Sequence, residues 1–252
     1  MLVSIVSLAI ATIILTLAST YDSSLQFSPQ GRVLQVEYAK RRADRGSPVI
    51  GVKCSDGVLL VSIRLRPRDR LHVRQQPKMF IVDEHVCVAV TGLIVDARVL
   101  VEMAKKLCLQ YRTSFQTNMP IEQLGSELAA VMHAQTRRLS SRPLGVSLLV
   151  AGVDGLLGPQ VYQINTEGTM DAWRAVSIGS NGQSLMARLA KLIEEGQLGE
   201  NKSIDEVWRL LKRTLHSDHK RLFIPSDSQS ESPTQVEVMQ LPLRSFDASL
   251  FV

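Results

Sequence analysis

The chain of 252 residues is 45% hydrophobic and 21% charged, the proportions of a packed globular protein, and it is long enough to bury a core without disulfide or metal staples. A net charge of +5 permits nucleic-acid binding, but aromatics are only 5%, the basic residues are scattered and no nucleic-acid motif occurs, which excludes a dedicated stacking reader. Cys54, Cys87 and Cys108 are odd in number, lack C-x-x-C spacing and lie in apolar stretches, so the expectation is core thiols in a reducing compartment.

In chain order, Met1 to Thr20 is an uncharged, mostly apolar leader ending in Ala18-Ser19-Thr20. It has the look of a secretory segment without the basic start, and two readings stay open: a signal or anchor, or an extension outside the working protein. Residues 21–252 are expected to form a single domain. Gly31 to about Arg45 suits an amphipathic helix with Leu34, Tyr38 and Arg41 on one face and Ser28-Pro29 near its start. Val49 to Cys54 and Val58 to Ile63 are β-branched runs joined by Ser55-Asp56-Gly57, a hairpin signal. Met79 to Val82 and His85 to Val90 repeat the pattern.

The period then changes. Leu93, Ala97, Leu100, Val101, Ala104, Cys108 and Tyr111 recur at three and four and predict a long helix; Ile121, Leu124, Leu128, Val131 and Gln135 predict a second after Pro120. Gly145 to Val153, Gln160 to Ile164 and Met170 to Ile178 predict strands between glycine turns. Leu185, Leu189, Leu192 and Ile193 outline a third helix, and Ser203-x-x-Glu206 is a capping box opening a fourth. Ser226 to Gln235 suggests a polar loop, and Val236 to Leu241 a last strand. This order is compatible with an α+β fold, a four-layer αββα sandwich.

The segment Tyr21-Asp22 followed by Phe27-Ser28-Pro29-Gln30-Gly31-Arg32-Val33-Leu34-Gln35-Val36-Glu37-Tyr38-Ala39 closely resembles the amino-terminal signature of proteasome α-type subunits. Downstream, Gly92-Leu93-Ile94-Val95-Asp96-Ala97-Arg98, Arg142-Pro143-Leu144-Gly145-Val146-Ser147 and Trp173-Arg174-Ala175-Val176-Ser177-Ile178-Gly179 resemble further segments of that family. The resemblance runs from Tyr21 to about Leu215 and implies the N-terminal nucleophile hydrolase fold, whose element order is the one derived above.

Active β-type relatives begin at a threonine whose own amine serves as base, since a neutral hydroxyl is a weak nucleophile. The resemblance puts Ser47, after Gly46, at that position, Ile63 at the catalytic aspartate and Leu65 at an arginine; of the set only Lys78 remains. An apolar Ile63 can neither hold the lysine's charge nor orient a nucleophile, so no catalytic residue is expected. The resemblance gives Lys78 another role: with Gly46 and Leu93 it would line a pocket between subunits that takes the carboxylate tail of a regulatory ATPase or activator. The plain alternative is a solvated lysine at a strand start. Tyr21, Asp22, Pro29 and Tyr38 match the cluster by which α-type family members hold their amino-terminal segments in the open gate; the plain alternative is a helix lead-in with half-buried tyrosines.

Two departures from the family pattern bear on this, a short spacer from Ser23 to Gln26 and the apolar leader in place of a polar tail; Asn165-Thr166-Glu167-Gly168 at a turn usually written D-P-S-G, and His133-Ala134-Gln135-Thr136 without the family's tyrosine, read as turn and packing changes. His216 and His219 lack a third ligand for a metal. The series Arg64, Arg66, Arg68, Arg70 and Arg74 is broken by Pro67 and Asp69 and suggests a solvated edge or a contact between subunits.

The resulting expectation is a non-catalytic α-type subunit of the proteasome core particle, in the outer ring of a ubiquitin-dependent proteolytic complex. It would need no cofactor or metal. Its partners would be other α and β subunits, together with activator tails, with no nucleic acid, and a membrane only if the leader is retained. The expected location is cytoplasmic and nuclear. The alternative is an autoprocessing hydrolase cleaved before Ser47.

Overall fold

The structure is a computed structural model that describes residues 26–65, 76–138, 141–222 and 234–242. The leader, Tyr21, Asp22 and most of both the arginine series and the Ser226 to Gln235 stretch lie outside those residues, as do the side chains of His216 and His219.

Helix α1 (Leu34–Asp44) is followed by β1 (Val49–Cys54), β2 (Gly57–Leu65), β3 (Met79–Asp83) and β4 (Val86–Gly92). Helices α2 (Ile94–Phe115) and α3 (Ile121–Thr136) come next, then β5 (Val146–Asp154), β6 (Gly158–Ile164), β7 (Met170–Ala172) and β8 (Ala175–Ile178). Helices α4 (Gly182–Glu194) and α5 (Ile204–Leu222) precede β9 (Thr234–Pro242). One sheet has the order β8-β1-β2-β9 and the other β3-β4-β5-β6-β7, all pairings antiparallel.

Three apolar layers hold the stack together. Val88, Val90, Leu148, Val150 and Ile164 pack against Leu100, Ala104, Leu124 and Leu128 of α2 and α3. Val49, Leu60, Cys87, Leu149 and Val161 fill the space between the sheets. Ile50, Val52, Leu59, Val61 and Ile63 meet Leu185, Leu189, Val207 and Leu211 of α4 and α5. Strands β4 and β5 carry continuous apolar runs because both faces are covered. Each fully buried leucine in these layers contributes about 1.5–3 kcal/mol. The four-layer αββα sandwich expected from the element order is the observed architecture.

Four details correct the sequence reading. The expected single strand Met170 to Ile178 is two: β7 closes the edge of one sheet, the chain crosses at Trp173-Arg174, and β8 joins the other. The crossing is pinned on both sides, Trp173 N donating to Val161 O (2.9 Å) and Lys53 N to Arg174 O (2.8 Å). The first helix starts at Leu34, because Ser28 to Gly31 close a β-turn with Gly31 N donating to Ser28 O at 2.8 Å. Its buried face is Ala39 and Ala43, while Tyr38 and Arg41 are exposed. Thr234 and Gln235, read as loop, open the last strand. The capping box is present, Glu206 N bonding Ser203 Oγ at 3.3 Å, and Asp56 Oδ1 adds a second cap by accepting from Ile204 N at 2.8 Å. All three cysteines are free and buried.

Candidate functional site

Helix α1 ends where β1 begins, β4 ends and β8 ends, and the chain between α1 and β1 passes through this crowded point. Gly46 is buried there; its carbonyl accepts from Ser180 N at 2.7 Å, and its own N–H donates to Ala43 O at 3.0 Å. Thr91, 1% exposed, donates its hydroxyl to Ser47 O at 3.1 Å. A Cβ on Gly46 would collide with Thr91 Oγ1 and the Gly92 nitrogen. A Cβ on Gly179, whose φ is +97°, would lie 2.7 Å from Thr91 Oγ1 and 2.8 Å from Gly46 O. Two glycines therefore close around one threonine hydroxyl.

This junction is where active relatives of the resembled family would present a free threonine. Ser47 is half-buried, flanked by the hydrogen bonds that the Gly46 and Ser47 carbonyls accept. Ile63, at the position of the acid, is 2% exposed within the apolar layer under α4 and α5, its N–H donating to Pro48 O at 3.0 Å. A carboxylate there would need a partner that this layer does not supply.

The three residues expected to form a docking pocket fall at the same end of the fold. Lys78 precedes β3, with its carbonyl accepting from Val90 N at 2.9 Å, and Leu93 follows β4, donating N–H to Gly145 O at 2.9 Å. Gly46 is packed against Gly92, next to Leu93. Lys78 and Leu93 are both half-buried.

Leu93 is held in place by a pair that sequence reasoning did not identify. Asp96, 6% exposed in the first turn of α2, accepts two hydrogen bonds from Arg142, 2.6 and 2.7 Å long, and a third from Gly145 N at 3.0 Å. Burial works to raise the Asp96 pKa, but the hydrogen bonds and charge of Arg142 and the Gly145 amide outweigh it and hold the carboxyl below its ordinary value. The two segments Gly92-to-Arg98 and Arg142-to-Ser147 are thereby clasped together. Their charged residues were the available signal, since a buried acid in a helix's first turn calls for a cation elsewhere.

Of the expected gate cluster, Tyr21 and Asp22 are outside the described residues, so the cluster as a whole has no observed geometry. Pro29 is exposed in the Ser28 to Gly31 turn, as the corner residue that fixes φ for it. Tyr38 is 40% exposed on α1 with the Arg41 guanidinium 5.8 Å from its ring centroid. Arg32 and Glu37 form a two-point ion pair that braces the turn against the helix, and the Arg32 hydrogen bonds lower the Glu37 pKa.

Sequence comparison extends this picture. The family profile for proteasome subunits matches residues 43–224, and the profile for the N-terminal signature of A-type proteasome subunits matches residues 21–41. The chain belongs to the proteasome α-type subunits. It is 35% identical over 219 residues to the alpha type-1 proteasome subunit of Drosophila melanogaster, covering 86% of this chain and 75% of that one. With the alpha proteasome subunit of Methanocaldococcus jannaschii it shares 36% identity over 174 residues, 69% of this chain and 66% of the other. With the alpha type-2 proteasome subunit of Trypanosoma brucei brucei the identity is 36% over 165 residues, 66% of this chain and 71% of that one. As an α-type core-particle subunit it is built to assemble with other proteasome subunits. The signature match takes in the turn and helix that carry Pro29 and Tyr38, and the larger match takes in the Gly46 junction, Lys78, Leu93 and the Asp96–Arg142 clasp.

Proposed function

We propose that this chain is a non-catalytic α-type subunit that forms part of the outer ring of the proteasome core particle, contributes to the gate and activator-docking surface, and serves ubiquitin-dependent protein degradation in cytoplasm and nucleus. The observation that carries the reading is Ile63, 2% exposed in the apolar layer under α4 and α5, at the position where the resemblance expects the catalytic acid. A hydrolase of this fold needs a carboxylate there to hold the lysine's charge and orient the nucleophile. Lys78, Gly46 and Leu93 at one end of the fold support a carboxylate-docking pocket completed by a neighbouring subunit, and Pro29 and Tyr38 support the described half of a gate cluster.

Two exposed helical surfaces support ring contacts. Val95 and Val99 are 63% and 60% exposed one turn apart at the start of α2, and Tyr38 lies outward on α1 beside half-buried Leu34. Such surfaces favour partner helices over water. Native mass spectrometry of complexes pulled down with this chain from its own cells, with the amino terminus sequenced, tests the reading. Recovery with other α and β subunits supports it. Recovery alone, beginning at Ser47, would replace it with the autoprocessing hydrolase.

A further inference from the structure

Away from that junction, at the opposite end of β1, a cleft of about 550 Å³ opens between the strands and the loop joining α4 to α5. Lys53, Arg174 and Lys202 line it, together with Glu200, Ile193 and Leu198. The cationic residues are placed by the backbone. Lys53 and Arg174 are cross-strand neighbours on β1 and at the start of β8, tied by Lys53 N to Arg174 O at 2.8 Å. Lys202 belongs to a loop fixed to the β1–β2 turn, where Ser55 N and Ser55 Oγ both donate to Lys202 O at 2.9 and 3.0 Å. Gly199 O accepts from Lys202 N at 3.1 Å and Gly196 adopts φ +67°, so the loop turns tightly and brings its backbone close to the cleft.

Glu200 occupies the middle of this arrangement. Its Oε1 lies 3.5 Å from Lys53 Nζ and 3.7 Å from Arg174 Nε, contacts too long for strong hydrogen bonds, and its side chain is 45% exposed. Three cations thus face one carboxylate among the lining residues, a surplus of two positive charges in a cleft with low-dielectric walls of Ile193 and Leu198. Glu200 supplies the one negative charge among the lining residues and reaches solvent.

We propose that this cleft binds a phosphate-bearing small molecule, its phosphate held by Lys53, Arg174 and Lys202 and its organic body resting on half-buried Ile193. A doubly charged phosphate matches the surplus, whereas a single carboxylate leaves it half satisfied. The volume exceeds that of a lone phosphate and falls in the usual range for small-molecule sites, roughly 300–1,000 Å³. Arg174 offers planar paired donors and the lysines compact point charges, the mixture commonly found around phosphates. The site is independent of the ring role proposed above.

Calorimetric titration of the full-length chain, in the assembly it forms, with inorganic pyrophosphate at constant ionic strength tests the assignment. The expected result is saturable binding that weakens about tenfold in Lys53→Gln and in Arg174→Gln, for loss of one charged contact. Glu200→Gln is expected to tighten it several-fold, and Lys212→Gln, exposed on α5 outside the cleft, to leave it unchanged. Arg174 is largely exposed, so that variant keeps the test alive if the β1 substitution fails to fold. Absence of saturable binding in both the unaltered chain and Glu200→Gln overturns the proposal. So does equal weakening by Lys212→Gln, which marks general surface attraction, or equal affinity for citrate, which removes the phosphate assignment.

Discussion

Asp96 and Arg142, 46 residues apart, meet in a two-point ion pair that joins the start of α2 to the lead-in of β5. The carboxylate is 7% exposed on its side chain and the guanidinium 57%, so the acid is the desolvated member and depends on the pair more than the arginine does. Replacing Asp96 by Ala strands Gly145 N as well and is expected to cost about 2 kcal/mol, read from urea unfolding of the full chain. Arg142→Lys retains charge but loses the paired geometry and is expected to lose about half as much.

The same pair sets a pH dependence. A carboxyl whose folded pKa is lowered adds stability that is fully present above its unfolded value, 3.8, and is lost as pH falls through the folded value. The stability difference between the native chain and Asp96→Asn is therefore expected to be flat from neutral pH down to the ordinary carboxylate range and to shrink below it. A difference that instead grows on acidification would contradict the lowered pKa.

Glycine substitutions separate crowding from backbone strain. Gly46→Ala forces its Cβ onto Thr91 and Gly92 and is expected to cost about 3 kcal/mol or more, on the scale of severe overpacking. Gly31→Ala meets nothing within 4 Å and strains only a φ of +73°, for about 1 kcal/mol. Thermal unfolding that ranks the two in the reverse order would sink the account of the junction.

Cysteine reactivity gives an independent check on burial. Burial, helped by Asp56, pushes the Cys54 thiol up to about 12; burial and Asp83, opposed by Arg112, push Cys108 up to about 11. Burial alone raises Cys87. At about pH 8, where a free thiol is partly ionised, all three are expected to resist alkylation in the folded chain and to react together in denaturant, as scored by intact mass.

The proposed docking and ring roles are separable by mutation. Lys78→Ala, checked as folded by its circular dichroism, is expected to weaken binding of an activator-tail peptide ending in a free carboxylate by about tenfold. Val95→Glu with Val99→Glu is expected to block incorporation into rings while altering chain stability by no more than about 0.5 kcal/mol per site. A pull-down in which the doubly substituted chain recovers as many partner subunits as the native one counts against the α2 surface as a contact.

Most of the sandwich was legible because four of its strand pairs, β1–β2, β3–β4, β5–β6 and β6–β7, join neighbours in the chain, as at Ser55-Asp56, and because α2 and α3 keep a clear helical period. Met170 to Ile178 was not, since no glycine or proline falls within it and nothing local marks Trp173 as the residue where the chain changes sheets. On α1 the bulky Leu34 and Tyr38 suggest the inner face, yet the strand ends approach so closely that a Cβ on Gly92 would lie 3.0 Å from Ala43 Cα. Only alanines fit that face, which is why the larger residues turn away from it. Lys78, Gly46 and Leu93 were named from resemblance alone; the junction around Thr91 and the Asp96 clasp arise from contacts distant in sequence and leave no periodic trace.

The crossing at Trp173-Arg174 has a bearing on biogenesis. Strands β3 to β7 pair in the order in which they are made, so that sheet can be completed while the ribosome is still at work. Strands β1 and β2 are made first but must wait for β8 and β9, more than a hundred residues later, to cover their two edges. For most of synthesis the earliest hairpin is an open template for foreign strands, and this chain is thus one whose birth calls for an escort until its final strands emerge.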